Sequence, residues 1–136
     1  MTDKVFIDSN LWIYLYENKE DRKQEKIEEL INNNFNNIVI STQVLNEIYN
    51  ILNKKIRLEH SQIKEIIVET ITNFSVAEIG VLDIIKAMEL KEIYGFSYWD
   101  SLIIASALEN QCKILFSEDM QNGQIIENRL KIINPF

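Results

Sequence analysis

The chain has 136 residues, of which 46% are hydrophobic, and its formal net charge is −7. This length and apolar content predict one domain over residues 1–136 with a substantial core. The negative charge argues against a protein that holds nucleic acid nonspecifically through many lysines and arginines. It leaves open a nucleic-acid site built on carboxylates, because a bound divalent cation reverses the local charge that a phosphate meets.

Short apolar runs alternate along the chain with longer segments of helical period, which is typical of an α/β fold with a mainly parallel sheet. The predicted strands lie within residues 4–8, 37–41, 74–78, 113–117 and 129–133. The predicted helices span residues 11–16, 21–34, 42–56, 61–72, 81–94 and 98–110. The asparagine-rich segment NNNFNN is predicted to be a loop that ends the second helix.

The N-terminal segment and the cysteine content indicate a cytoplasmic protein. The segment MTDKVFIDSN carries acids within its short apolar run, unlike a secretory signal, and the single Cys112 cannot form an internal disulfide. The longest apolar runs, such as LIIASAL, are far shorter than the roughly 20 residues that a membrane-spanning helix needs. We therefore expect no membrane insertion.

Acidic residues fall where ligands usually bind in such folds. Asp8 ends the first predicted strand, Glu118 and Asp119 end the fourth, and Asp100 begins the helix before it. Ligands of open α/β sheets bind outside the carboxyl ends of the strands, near the point where the strand order reverses. This placement makes the strand-end acids candidates for a functional site.

Each of these acids also has a purely structural explanation. Asp8 is placed to cap the helix that follows it, and Asp100 completes a capping-box pattern with Ser97. The pair Glu118 and Asp119 suits a turn. Glu47 lies in a polar helical stripe, for which periodicity alone favours a solvated face. The residues by themselves leave both interpretations open.

Four segments follow one another along the chain in the order VFIDSN, VLNEIYNIL, FSYWDSLIIASAL and ILFSEDMQNGQ. In this order they resemble the PIN domain, and within it the VapC-like ribonuclease toxins of bacterial toxin–antitoxin pairs, and the resemblance covers essentially the whole chain. The resemblance implies a three-layer α/β/α fold with a mainly parallel central sheet of about five strands. This chain departs from many members of the family at Gln121 and Asn122, where those proteins carry a further acid.

The resemblance also implies a site and an activity. The catalytic and metal-binding acids would be Asp8, Glu47, Asp100 and Asp119, holding Mg²⁺ or Mn²⁺. Three further polar residues match positions beside the family's first and last acids, namely Ser9, Asn10 and Ser117. Such proteins hydrolyse RNA as endoribonucleases, act as toxins, are neutralised by a partner antitoxin and form homodimers.

A divalent cation suits phosphodiester hydrolysis because it lowers the pKa of a bound water and polarises the phosphoryl oxygen. We expect Glu47 to hold a second cation or to orient the attacking water. Lys54 and Lys55 are candidates for contact with RNA phosphates, since Lys54 lies two helical turns beyond Glu47 on one predicted helical face, although a solvated face is the favoured explanation. Trp12, Tyr98 and Trp99 are suited either to stack on bases or to fill the core.

Two other classes of function compete with the nuclease. The first is a non-catalytic α/β interaction module whose acids cap helices. The second is a phosphoacceptor signalling domain, but Ser9 and Asn10 follow Asp8 where such domains carry paired acids. Binding of a divalent ion separates the nuclease from the interaction module, and stable labelling by a phosphodonor separates the phosphoacceptor domain from both.

Overall fold

The computed structural model describes residues 3–17, 19 and 21–136. Met1 and Thr2, which belong to the segment compared with a secretory signal, lie outside the described residues. The strands are β1 Val5–Ile7, β2 Ile38–Ser41, β3 Ser75–Ala77, β4 Ile114–Phe116, β5 Ile125–Ile126 and β6 Leu130–Ile133. The helices are α1 Ser9–Trp12, α2 Arg22–Asn33, α3 Thr42–Ile51, α4 His60–Asn73, α5 Val81–Tyr94 and α6 Tyr98–Glu109.

The strands form one sheet in the order β3-β2-β1-β4-β6-β5, flanked by helices, which confirms the predicted α/β/α fold. All neighbouring pairs are parallel except β5 and β6, which are antiparallel. The five predicted strands are all present. The additional strand β5 has only two residues, too few to give an alternating pattern in the sequence.

Most helices match the predicted ranges, and the exceptions are α1 and α3. The helices α2, α4, α5 and α6 agree with prediction to within one residue at either end. The first helix starts earlier than predicted, at Ser9, because the Asp8 side chain accepts a hydrogen bond from the Ser9 N–H. It continues as a 3₁₀-helix over Ile13–Leu15.

The prediction of one α-helix over residues 42–56 is wrong in its last five residues. The α-helix α3 ends at Ile51, and Leu52–Ile56 form a π-helix that ends at Arg57 in the left-handed conformation, with φ of 62°. A π-helix has more residues per turn than an α-helix. Side-chain positions beyond Ile51 therefore no longer follow the 3.6-residue period of α3.

The core includes strands β1 and β2, whose residues are all buried, as expected for strands covered on both faces. Helix α6 packs against α5 and β2, and every residue from Ser101 to Leu108 is buried. An apolar helix of this kind is immobilised on all sides. Asp100 directly precedes this buried stretch. Within the described ranges, no helix is both long and apolar enough to cross a membrane.

Candidate functional site

The candidate site lies where the order of the strands in the sheet reverses. From β1 the chain continues to β2 and β3 on one side of the sheet, whereas β4 and β6 lie on the other side. This arrangement makes the carboxyl ends of β1 and β4 the switch point at which α/β proteins bind ligands. Asp8 follows β1 directly, and its N–H donates to the carbonyl of Phe116 at 3.0 Å.

Asp8 is a buried carboxylate, only 6% exposed, with donors on both oxygens. Its Oδ1 accepts from the Ser9 N–H at 2.7 Å, and its Oδ2 accepts from the Ser117 hydroxyl at 2.9 Å. Burial raises the pKa of Asp8 to about 6 against the lowering effect of these two hydrogen bonds. The charges of Glu47 and Asp100 contribute to this raised pKa as well, so all three acids share one electrostatic environment.

Glu47 is turned toward this environment by polar contacts on both of its oxygens. The Ser9 hydroxyl donates to Glu47 Oε2, and the side-chain amide of Gln43 donates to Oε1 at 2.9 Å. Ser9 thus contacts Asp8 through its backbone and Glu47 through its side chain. Of the polar stripe for which periodicity favoured a solvated face, Gln43 and Glu47 are half-buried, whereas Asn50 and Lys54 are exposed.

Asp100 lies in the first turn of α6, where the Ser97 hydroxyl accepts from the Asp100 N–H at 3.1 Å. Among the described residues, the Ser97 N–H makes no reciprocal bond to the Asp100 carboxylate, so the capping box is incomplete. Burial raises the pKa of Asp100, a hydrogen bond with the Ser97 side chain lowers it, and the charge of Asp119 raises it. The Asp100 carboxylate is therefore in contact with Ser97 and within electrostatic range of Asp119.

The two acids after β4 have different partners. Asp119 accepts from the Asn10 side-chain amide at 2.9 Å, which joins it to the start of α1. Glu118 instead accepts from Tyr14 at 2.5 Å and from Lys23 at 2.6 Å. Desolvation opposes ionisation of Glu118, but the bonds from Lys23 and Tyr14 prevail and lower its pKa. Glu118 is therefore held in an ion pair with Lys23, whereas Asp119 is joined to Asn10 beside Asp8 and Ser9.

The structure brings most of the predicted site residues together, but not the two lysines. The acids and their polar neighbours are Asp8, Glu47, Asp100, Asp119, Ser9, Asn10 and Ser117. Lys54 and Lys55 lie in the exposed π-helical segment. In the part of the chain that the structure describes, neither lysine pairs with these acids.

The donor set fits a hard divalent cation. All four acids offer oxygen, which Mg²⁺ and Mn²⁺ prefer, and the buried Oδ1 of Asn10 has no hydrogen-bond partner within the described residues. Within the same residues, no three Asp, Glu, His or Cys side chains converge closely enough to ligate one ion. Mg²⁺ usually keeps several waters and takes only one or two carboxylates, so this spacing suits it.

A cleft of about 520 Å³ adjoins the acids between α3 and α6. Its lining includes Gln43, Asn46, Glu47, Asn50, Ile79 and Trp99. Sequence reasoning missed this cleft because a polar helical stripe looks the same whether it faces solvent or a site. The available signal was the placement of that stripe on the helix that carries Glu47.

Comparison with known proteins agrees with this architecture. A family model described as the PIN domain matches residues 5–122. A toxin–antitoxin complex from Klebsiella pneumoniae is similar with a TM-score of 0.74 and 14% identity, over 98% of this chain and 98% of that one. DNA-bound VapBC from Salmonella typhimurium gives a TM-score of 0.72 and 18% identity, over 96% and 98%.

VapC20 from Mycobacterium tuberculosis, described as a Sarcin-Ricin loop cleaving toxin, gives a TM-score of 0.70 and 17% identity. The match covers 85% of this chain and 92% of that one. No curated protein matches this sequence significantly. Identities this low establish a shared fold only.

Proposed function

Because the chain belongs to the PIN domain family, we propose that it is a Mg²⁺- or Mn²⁺-dependent endoribonuclease that hydrolyses RNA phosphodiester bonds. It acts as the toxin of a toxin–antitoxin pair, and residues 1–136 form a single nuclease domain. Its catalytic and metal-binding residues are Asp8, Glu47, Asp100 and Asp119.

The observation that carries this proposal is the uncompensated charge around Asp8. Asp8 is buried, and the carboxylates of Glu47 and Asp100 are close enough to raise its pKa. Over the described ranges, the ion pairs of Lys23 and Lys86 go to other acids, and no lysine or arginine pairs with these three. Crowded carboxylates without a counter-charge destabilise a fold unless a cation neutralises them.

The surrounding residues hold the acids in place for this role. Asp8, Asp100 and Asp119 contact the cation directly or through water, while Ser117 fixes the Asp8 carboxylate and Asn10 fixes that of Asp119. When bound, the cation supplies a water of lowered pKa and neutralises charge on the phosphate.

Glu47 has a separate role in the proposed reaction. Donors from Ser9 and Gln43 hold both of its oxygens, so the orientation of its carboxylate is set before substrate arrives. It orients the attacking water or holds a second cation. The exposed Lys54 and Lys55 attract the RNA backbone at longer range.

The proposed partners are an antitoxin protein and a second copy of the chain in the cytoplasm. Support for the antitoxin comes from neighbours that are themselves described as toxin–antitoxin and VapBC complexes. Support for the homodimer comes from an apolar stripe on α5, which leaves Val81, Ile84, Ile85 and Met88 exposed. Residues at this helical spacing share one face, and such a face suits association.

The test is cleavage of single-stranded RNA by the purified protein with Mg²⁺, with Mn²⁺ and with chelator, together with melting curves under the same conditions. We expect metal-dependent cleavage and a higher Tm with Mg²⁺, because a ligand of the folded state stabilises it. Asp100→Asn should lose both effects without lowering the metal-free Tm. Glu118→Gln is the matched control and should cleave normally, because Glu118 lies outside the site.

The opposite outcome is equally definite. If Mg²⁺ changes neither cleavage nor Tm, and Asp100→Asn melts lower than the native protein, then Asp100 is a cap and the chain is a non-catalytic interaction module.

A further inference from the structure

We propose that the cleft between α3 and α6 binds an unpaired nucleobase of the substrate. The base stacks on Trp99, and its edge is read by the side-chain amides of Asn46 and Asn50. This inference rests on the proposed ribonuclease function, because it concerns how the RNA strand is seated beside the acids. It makes Trp99 and the two amides the residues that set sequence preference.

Trp99 has the exposure that a stacking residue needs. Its side chain is 65% exposed, whereas Trp12 is 2% exposed and donates its indole N–H to the Ile7 carbonyl. Tyr98 packs edge-on against the Trp99 ring at 5.2 Å between centroids and thereby supports it. An exposed, supported indole beside a site is a platform on which a base stacks.

Gln43 joins the cleft to the acids. Its amide nitrogen donates to Glu47 Oε1 at 2.9 Å and to the Trp99 carbonyl at 3.1 Å. These two acceptors fix which end of the amide is the nitrogen. Asn46 and Asn50 are exposed in the same lining, so their amides are the ones that the edge of a base reaches.

The chemistry of the lining favours a base over a phosphate. Of the residues that the structure describes, no lysine or arginine lines the cleft, and its polar groups are amides, a hydroxyl and one carboxylate. Amides both donate and accept, as base edges do. The volume of about 520 Å³ falls within the range of small-molecule sites.

The cleft is continuous with the acids. Glu47 belongs both to the cleft lining and to the acid group, and Trp99 directly precedes Asp100. A base held here therefore places its own phosphodiester linkage next to the carboxylates. Seating of this kind raises the effective concentration of the bond to be cut.

Tryptophan fluorescence provides the test, because only one of the two indoles is accessible. The native protein is titrated in chelator, which prevents cleavage, with single-stranded RNA oligonucleotides and with matched oligonucleotides that contain abasic positions. We expect the oligonucleotides with bases to quench the emission and the abasic ones not to. In Trp99→Phe, where only buried Trp12 remains, the quenching should disappear.

Substitutions then separate base binding from a general effect on the fold. Trp99→Ala should weaken oligonucleotide binding roughly tenfold to hundredfold, the range typical of a lost stacking contact. It should raise KM for cleavage more than it lowers kcat. Asn50→Ala should change the preferred cleavage sequence. Tyr49→Ala removes an exposed aromatic residue on the same helix outside the cleft and should leave binding unchanged.

The outcomes distinguish this inference from the function on which it rests. If the native protein cleaves RNA and Trp99→Ala cleaves the same sites with unchanged KM, the base site is wrong and the nuclease stands. If base-dependent quenching occurs but no RNA is cleaved, the base site stands and the nuclease is wrong. If abasic and ordinary RNA bind equally, or Trp99→Ala alters only self-association, the cleft holds no base.

Discussion

Ser117 donates its hydroxyl hydrogen to Asp8 Oδ2 at 2.9 Å, and this bond joins the carboxyl ends of β4 and β1. Both side chains are buried, so water does not replace the bond when it is lost. Ser117→Ala should therefore lower the free energy of unfolding by about 1–3 kcal/mol at pH 7.5. Urea unfolding of the metal-free native protein and of the variant measures this decrease. The loss should shrink at pH 5, where Asp8 is largely protonated, and an equal loss at both pH values would contradict the assignment.

Asp8 itself should make the metal-free protein less stable at neutral pH. Its pKa is raised from 3.8 to about 6, so between these values the folded state binds more protons than the unfolded state. The free energy of unfolding must then fall as pH rises through this window. The cost at pH 7.5 has an upper limit of about 3 kcal/mol.

Asp8→Asn removes that titration and should flatten the pH dependence between pH 4 and 7.5. Urea unfolding in chelator at several pH values, for the native protein and the variant, gives the difference directly. The acids distant from Asp8 titrate alike in both proteins and cancel in the comparison, so the difference reports Asp8 together with its coupling to Glu47 and Asp100. A pH dependence that is unchanged in Asp8→Asn would show that Asp8 ionises normally.

The Glu118 ion pair should have the opposite pH dependence. The pKa of Glu118 is lowered, so its contribution to stability is present above its ordinary pKa and is lost as pH falls. Lys23 is 43% exposed at its side chain, and solvent screening limits the effect. Glu118→Gln should therefore cost about 0.5–1 kcal/mol at pH 7. Thermal melts measure this, and a cost that grew on acidification would refute it.

Self-association should depend on α5. Its exposed stripe includes Ile85 and Met88, and a charge placed there would be desolvated in a homodimer. Ile85→Asp should convert the dimer to a monomer. The variant should keep the circular dichroism spectrum of the native protein, and its RNA cleavage per chain should remain detectable. Analytical ultracentrifugation decides the point. Lys91→Gln, on the exposed last turn of the same helix, lowers the net charge by the same one unit and is the control.

The Cys112 thiol should be unreactive in the folded protein. Its side chain is 3% exposed, and burial raises its pKa to about 12 despite the opposing charge of Lys4. Thiolate is the reactive form, so alkylation by iodoacetamide at pH 8 should be very slow until the protein is unfolded in urea. Rapid labelling under native conditions would indicate that the strand end beside Cys112 opens readily.

The sequence pattern predicted the fold well because the periods of strands and helices depend on residues close together in the sequence. The site residues were harder to predict, because the site joins residues that are distant in the sequence. Asp8 and Asp119 followed from their positions at strand ends, whereas Glu47 followed only from the family resemblance. The choice between Glu118 and Asp119 depends on Lys23 and Tyr14, which are distant in sequence.

The π-helix at Leu52–Ile56 escaped prediction for a related reason. The π-helix is rare and short, so a continuing helical pattern of residues is predicted to be α-helical. The inferred shared face of Glu47 and Lys54 depended on an uninterrupted α-helix, and it was lost with that helix.

The two outer strands of the sheet bear on how the protein avoids aggregation. Strand β5 has two residues and runs antiparallel to its neighbour, and β3 at the opposite edge has three. An edge strand recruits other chains through its row of unpaired N–H and C=O groups, and a very short edge offers few of them. Addition of a strand from another chain is therefore disfavoured at both edges of the sheet, and copies of the protein associate through helices instead.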